Sequence, residues 1–196
     1  MRVGGTRVKS VARRIELALA VLTIGILVYF AFRAFIIPVG GSLDKTAQSD
    51  IDSSMKDAMT LYIDAQSFGG ATAASLHATD TSIAFVPGFS QSSPLASAVK
   101  NAVSFETSST GSPQSIVFAS FSPVDSICWA GLSYQGGGYS SLGGEPPGSW
   151  YGAFQSGPGK PSCNAANAVA IITGPNPGTV DGTAESGWQR QYPAKP

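Results

Sequence analysis

Three regimes of apolar and polar positions follow one another along the chain. Residues 17–32 carry no charge and almost no polar group, and from 17 to 39 only Arg33 interrupts the apolar run. As a helix rising about 1.5 Å per residue, such a run would cover roughly 34 Å, close to the ~30 Å of a bilayer's hydrocarbon core. Over 43–67 the period changes: Leu43, Ala47, Ile51, Met55, Met59 and Tyr62 recur every three or four residues, flanked by Ala58 and Ile63. Asp44, Lys45, Asp50, Asp52, Lys56, Asp57 and Asp64 fall mostly on the other side, which predicts an amphipathic helix. Pro38-Val39-Gly40-Gly41 predicts a kink or short break before it, and Gly69-Gly70 its end. A short helix is predicted over 71–77. The third regime is short, β-branched or aromatic, and bounded by Gly, Pro and Ser. It predicts strands at 83–86, 103–105, 115–121 and 127–134, with 149–154 and 168–173 adding one each. These spacings suggest an antiparallel sheet with hairpin connections, one face covered by the amphipathic stripe. Residues 136–148 read as an irregular glycine-rich loop, and the polar chain from Gly174 as a frayed tail.

Charge orients this layout. Arg2, Arg7, Lys9, Arg13 and Arg14 precede the apolar run without one acid among them, and a basic flank stays on the cytoplasmic side. The chain then divides into a cytoplasmic basic leader (1–14), a transmembrane helix (15–39), an extracytoplasmic α+β domain (40–173) and a flexible C-terminal tail (174–196). A retained anchor is expected over a removed signal peptide, because the apolar core stays long and bulky up to Val39-Gly40-Gly41, the alternative cleavage point. The formal net charge is zero, yet from residue 39 onward six basic residues face eleven acidic ones. That imbalance excludes a nucleic-acid surface on the outer domain. Membrane topology and anionic inner-leaflet lipid explain the basic N-terminus.

Candidate chemistry is sparse. Cys128 and Cys163 both lie in the exported part and are expected to pair, the alternative being two free buried thiols. A bridge closing about 35 residues would stabilise by roughly 3–4 kcal/mol in the chain-entropy model. His77 is the only histidine, and Ser75-Leu76-His77-Ala78-Thr79-Asp80 carries no catalytic signature. One His and two paired Cys leave no zinc site, and the helix acids lack EF-hand spacing. Gly159-Lys160 fails as a phosphate loop: Phe154 stands where Gly is required and Pro161 where Ser or Thr is. Trp129, Trp150, Tyr134, Tyr139 and Tyr151 would make either an exposed aromatic platform or core packing, with Tyr139 the candidate for exposure. No catalytic residue, cofactor or metal is expected, and the protein is read as a non-enzyme.

The order of these features resembles type IV pilins and pseudopilins, most of all the pilin-like subunits of Gram-positive bacteria. The residues that carry the likeness are Ile15-Glu16-Leu17 with Thr23-Ile24-Gly25-Ile26-Leu27, then Met59 to Gly69 with Tyr62 and Phe68, Cys128-Trp129, Trp150-Tyr151-Gly152 and Cys163. The resemblance covers roughly 12–172. It implies a pilin-like α+β fold, in which a long N-terminal helix, transmembrane then amphipathic, packs on a small antiparallel sheet. It also implies a structural subunit of a filament or pseudopilus serving adhesion, DNA uptake or secretion. The implied partners are membrane lipid, like subunits, a prepilin peptidase and the pilus assembly machinery. Glu16 would make the assembly contact, with Arg13 and Arg14 of a neighbour as cations, and processing would fall between Val11 and Ala12. Here the chain departs from the family, with Val11 in place of the usual Gly and two arginines where small or apolar residues are usual. The alternative reading is a monomeric, single-pass, membrane-anchored extracellular binding module.

Overall fold

The computed structural model describes residues 5–87, 101–108, 112–123, 126–136, 145–172 and 187–193; within the first helix it describes side chains at 21–29 and from 43 onward. The chain forms two compact units, Met1–Ser42 and Leu43–Pro196.

Helix α1 is assigned over Gly5–Ala65. Residues 38–41 are helical rather than broken. In the first unit the described side chains, 21–29, are all exposed. No helix among the described residues is long and apolar enough to cross a membrane. This corrects the expected transmembrane helix over 15–39, since no such span is found among the described residues.

In the second unit the amphipathic stripe docks as its period dictates. Ala47, Ile51, Met55 and Ala58 are buried in one cluster with Phe105, Ile116, Phe118, Trp129 and Ala153 of the sheet. Gly131 permits this approach, since a Cβ there would overlap Ile51 Cγ2 and lie 2.5 Å from Met55 Sδ. After α1 the chain turns at Gln66, which has φ 52°. A 3-10 turn follows at Phe68–Gly70, with Phe68 buried. Helix α2, Ala73–Thr79, opens on a reciprocal capping box between Thr72 and Ser75.

Five strands follow: β1 Ala84–Pro87, β2 Ala102–Thr107, β3 Ser115–Ser122, β4 Ile127–Tyr134 and β5 Gly148–Gln155. They lie in sequence order across one sheet. β2 to β5 pair antiparallel, for example Phe118 opposite Gly131 and Gly131 opposite Tyr151. β1, however, runs parallel to β2, with Ala84 opposite Ala102. The sheet is therefore mixed, not antiparallel as expected. The fourteen residues 88–101 supply the dozen or more that a parallel connection needs and a hairpin does not.

The second face is covered too. Val117, Ala119, Ala130, Leu132, Trp150 and Phe154 pack against Ala165, Ala168, Ile172 and Trp188. Helix α3, Ala165–Ile171, occupies most of the stretch expected to be a sixth strand, 168–173. Asn164 caps it by accepting from Asn167 N, and the alanines that follow favour helix over strand. With cover on both sides, every residue of β4 and nearly every residue of β3 is buried, as in sheets sandwiched between two layers. The pilin-like class expected above, a transmembrane-then-amphipathic helix on a small antiparallel sheet, is thus overturned on two counts: the span and the sheet.

Cys128 on β4 and Cys163 ahead of α3 form a disulfide with Cα atoms 5.2 Å apart, both residues buried. Residues 187–193 are not a frayed end. Trp188 is buried at 2% exposure, and Gln189 exchanges both backbone hydrogen bonds with Tyr151, at 2.7 and 2.9 Å. We refer to this segment as the strap.

Candidate functional site

The seam between α1 and β5 holds a concave surface. It is a groove of about 410 Å³ lined by Asp52, Met55, Lys56, Met59, Thr60 and Ile63 of α1 and by Ser149 and Tyr151 of β5. Helical spacing places the α1 residues on adjoining rows, 52–56–59–63 and 55–59, and the outward register of β5 brings up 149 and 151. Most of the wall is apolar, with a carboxylate, an ammonium and three hydroxyls set into it. Ile63 stands 65% exposed at its end.

An aromatic group closes the groove on the strap side. Tyr192 stacks on Tyr151, with centroids 4.3 Å apart, and meets Trp129 edge-on at 5.8 Å. Its hydroxyl reaches the Gln48 carbonyl at 2.9 Å and Asp52 Oδ1 at 3.3 Å. Burial, then the Asp52 carboxylate and Tyr151, push the Tyr192 phenol far above its ordinary value, so it stays a neutral donor. Burial and then Asp52 raise the Tyr151 phenol as well. Below them the indole of Trp129 donates to Asp44 Oδ1 at 3.1 Å, tying β4 to the start of the amphipathic stripe. On the other side of the strap the Arg190 guanidinium lies 3.8 Å over the Trp150 ring. It donates to the carbonyls of Pro146 at 3.0 Å and Ser149 at 3.4 Å.

A second polar locus lies where α1 meets α2. Burial, then the Asp80 charge, raise the carboxyls of Asp50 and Asp57 above the usual range. Asp80 itself is held low by the Ser82 hydroxyl and backbone N–H, at 2.6 and 2.8 Å. His77 Nδ1 lies 3.0 Å from the Ile83 carbonyl oxygen, a backbone group rather than a nucleophile. Among the described residues no three His, Cys, Asp or Glu side chains are placed to hold a metal ion.

The residues singled out in the sequence fare unevenly. Val11, Ala12, Arg13, Arg14 and Glu16 fall within α1, but their side chains lie outside the described residues. Tyr139 also lies outside them. Trp129, Trp150 and Tyr134 are buried as core packing, and Tyr151 is partly open. Sequence reasoning passed over Trp188, Arg190 and Tyr192. Two aromatic residues four positions apart in an otherwise polar tail were the available signal.

No family model, curated protein or solved structure matches this chain.

Proposed function

We propose that the protein is a non-catalytic structural subunit of the pilin or pseudopilin type, held at the cell membrane, that self-associates through its N-terminal helical segment. One observation carries this reading. Val21, Leu22, Ile24, Ile26, Leu27, Val28 and Tyr29 are 46–68% exposed. At about 100° per residue they cover every side of the helix. A helix that is apolar all round is stable only when surrounded, by lipid or by other helices. The five basic residues ahead of it favour an anionic membrane surface on that side. Glu16, Arg13 and Arg14 are the assembly residues in this reading, because a carboxylate in a low-dielectric bundle requires a cation. The contact is one of role and does not depend on the sheet topology of any family.

The test uses the absence of spare thiols. Both cysteines of the sequence are engaged in the disulfide, so Leu27→Cys introduces a single reporter. Oxidation in native membranes should give linked dimers well above a monomeric membrane-protein control at matched expression, and Glu16→Ala should reduce them. Leu27→Cys that links no more than the control would overturn the reading.

The groove favours a second reading, a membrane-anchored binding module. Its volume falls in the range of small-molecule and peptide sites, with a few polar groups on apolar walls. Monomeric behaviour in the crosslinking experiment would move the conclusion to it.

A further inference from the structure

We propose that Met59 is a modification site: a peroxide oxidises its thioether to the sulfoxide in the folded protein, and Ser133 and Gln135 promote the step and hold the new oxygen. The inference goes beyond the assembly reading and stands without it. Met59 lines the groove between α1 and β5 and is half-buried there. Its sulfur accepts from the Ser133 hydroxyl at 3.4 Å and from Gln135 Nε2 at 3.3 Å. The fold fixes both donors. Ser133 belongs to β4 and is buried, and the Gln135 backbone N–H donates to the Gln114 carbonyl at 2.8 Å. Two polar donors are thus committed to a thioether, which is a weak acceptor.

Oxidation changes what those donors meet. The sulfur attacks one oxygen of a peroxide and the O–O bond breaks. The proton on the transferred oxygen passes to the departing hydroxide. Sulfur loses two electrons and becomes the sulfoxide, and the peroxide is reduced to water. Negative charge gathers on the oxygen as it bonds to sulfur, and donors already in place where charge develops lower the barrier. The methionine stem has three rotatable bonds, so the sulfur can withdraw towards the open groove and leave its oxygen on Ser133 and Gln135. The other sulfur groups of this unit are less reactive. Met55, one turn earlier, is 4% exposed with its sulfur packed on Gly131. Cys128 and Cys163 are bridged, so neither offers a competing thiolate. The product replaces an apolar part of the groove wall by a polar, chiral one, which alters what the groove accepts.

Dilute hydrogen peroxide added to the full-length protein in detergent, with peptide mass spectrometry over time, tests the site. Met59 should be oxidised at least about tenfold faster than Met55 in the folded protein, and the two rates should converge in urea, because susceptibility follows access. Equal rates in the folded protein overturn the proposal. Gln135→Ala, alone and combined with Ser133→Ala, should slow Met59 several-fold and leave Met55 unchanged. Unfolding curves establish that each variant is folded, and Gln135→Ala, at a half-buried position, carries the test if the pair is not. A Met59 rate unchanged by removing the donors overturns their role, since exposure alone would then govern the sulfur. A faster rate overturns it too, since the donors would then shield the sulfur.

Discussion

The two units of this chain treat apolar surface in opposite ways. Among the described residues of Leu43–Pro196 both faces of the sheet meet partners supplied by the same chain: α1 covers one, α3 and Trp188 the other. In Met1–Ser42 the helix holds Val21, Leu27 and Val28 more than half exposed. The contrast teaches that one helix can carry two unrelated specifications. The amphipathic period is read by the chain's own sheet, and the uninterrupted apolar run by whatever surrounds the protein. Substitutions in the second unit should therefore change folding stability, whereas substitutions in the first should change association and leave folding alone.

The largest effects belong to the far face of the sheet. Trp188→Ala removes a side chain 2% exposed and should cost about 3–5 kcal/mol in denaturant unfolding. A midpoint unchanged from wild type would return the C-terminus to a frayed tail and undo half of the contrast. Replacing Cys128 and Cys163 together by Ser should cost about 2–5 kcal/mol, read by the same unfolding curves and matched by wild type under reductant. Gly131→Ala comes next. Its Cβ would overlap Ile51 and crowd Met55, and overpacking of that kind costs about 1–3 kcal/mol.

Much of the second unit is written locally. The 3.6-residue period over 43–67 predicted the buried Ala47, Ile51, Met55 and Ala58, although Leu43, Met59 and Tyr62 are half-buried, Ile63 is exposed and Asp44, expected on the polar side, is buried; Ser115 to Phe121 and Ile127 to Tyr134 stood out as strands by composition. What escaped was set by tertiary context. The strands β3 and β4 are buried on both sides, so their lack of alternation was the sign of a second covering layer. Residues 168–173 are a short apolar run, which periodicity cannot assign to helix or strand; the Asn164 cap decides it. The direction of β1 depends on where a fourteen-residue connection leads, which no local pattern encodes. The strap escaped because single aromatic residues in a polar tail have no period at all. Of the candidate site, the α1 wall was legible as the flank of the stripe; the Tyr151–Tyr192 closure was not, since 41 positions of chain separate its halves.

A smaller, pH-dependent effect sharpens the comparison, because second-unit carboxyls have displaced titrations. Burial raises the carboxyl of Glu106 above its ordinary 4.5, and burial with Asp80 raises Asp50 and Asp57 above 3.8. A carboxyl whose folded value exceeds its unfolded one holds its proton more tightly in the native state. Its contribution is therefore favourable below the unfolded value and is lost as pH rises through the folded one. Asp80, held low by Ser82, acts in the opposite sense, losing its contribution as pH falls. Glu106→Gln should accordingly flatten the decline in stability on going from about pH 4 towards neutrality and raise the melting temperature at pH 7. The check is thermal unfolding across that range. A steeper decline in the variant would show that the Glu106 carboxylate has a cationic partner and is not merely desolvated.

The smallest expected effect is also the most direct probe of the contrast. Gly131 and Gly25 are both glycines in apolar surroundings, but a Cβ on Gly131 collides with α1, whereas a Cβ on Gly25 finds nothing within 4 Å. Glycine inside a helix costs about 0.5–1 kcal/mol relative to alanine, through the backbone entropy it surrenders. Gly25→Ala should therefore make the helix around 21–29 slightly more stable, seen as slower amide exchange there. Unfolding of the Leu43–Pro196 unit should stay where it is. If nothing outside the chain approaches Gly25, membrane crosslinking through Leu27→Cys should be unaffected as well. A loss of crosslinks with unchanged unfolding would place a neighbouring helix against Gly25, in the space that the chain itself leaves open. A loss of stability in the second unit would instead mean that the two specifications are not separable, and the comparison would fail at its root.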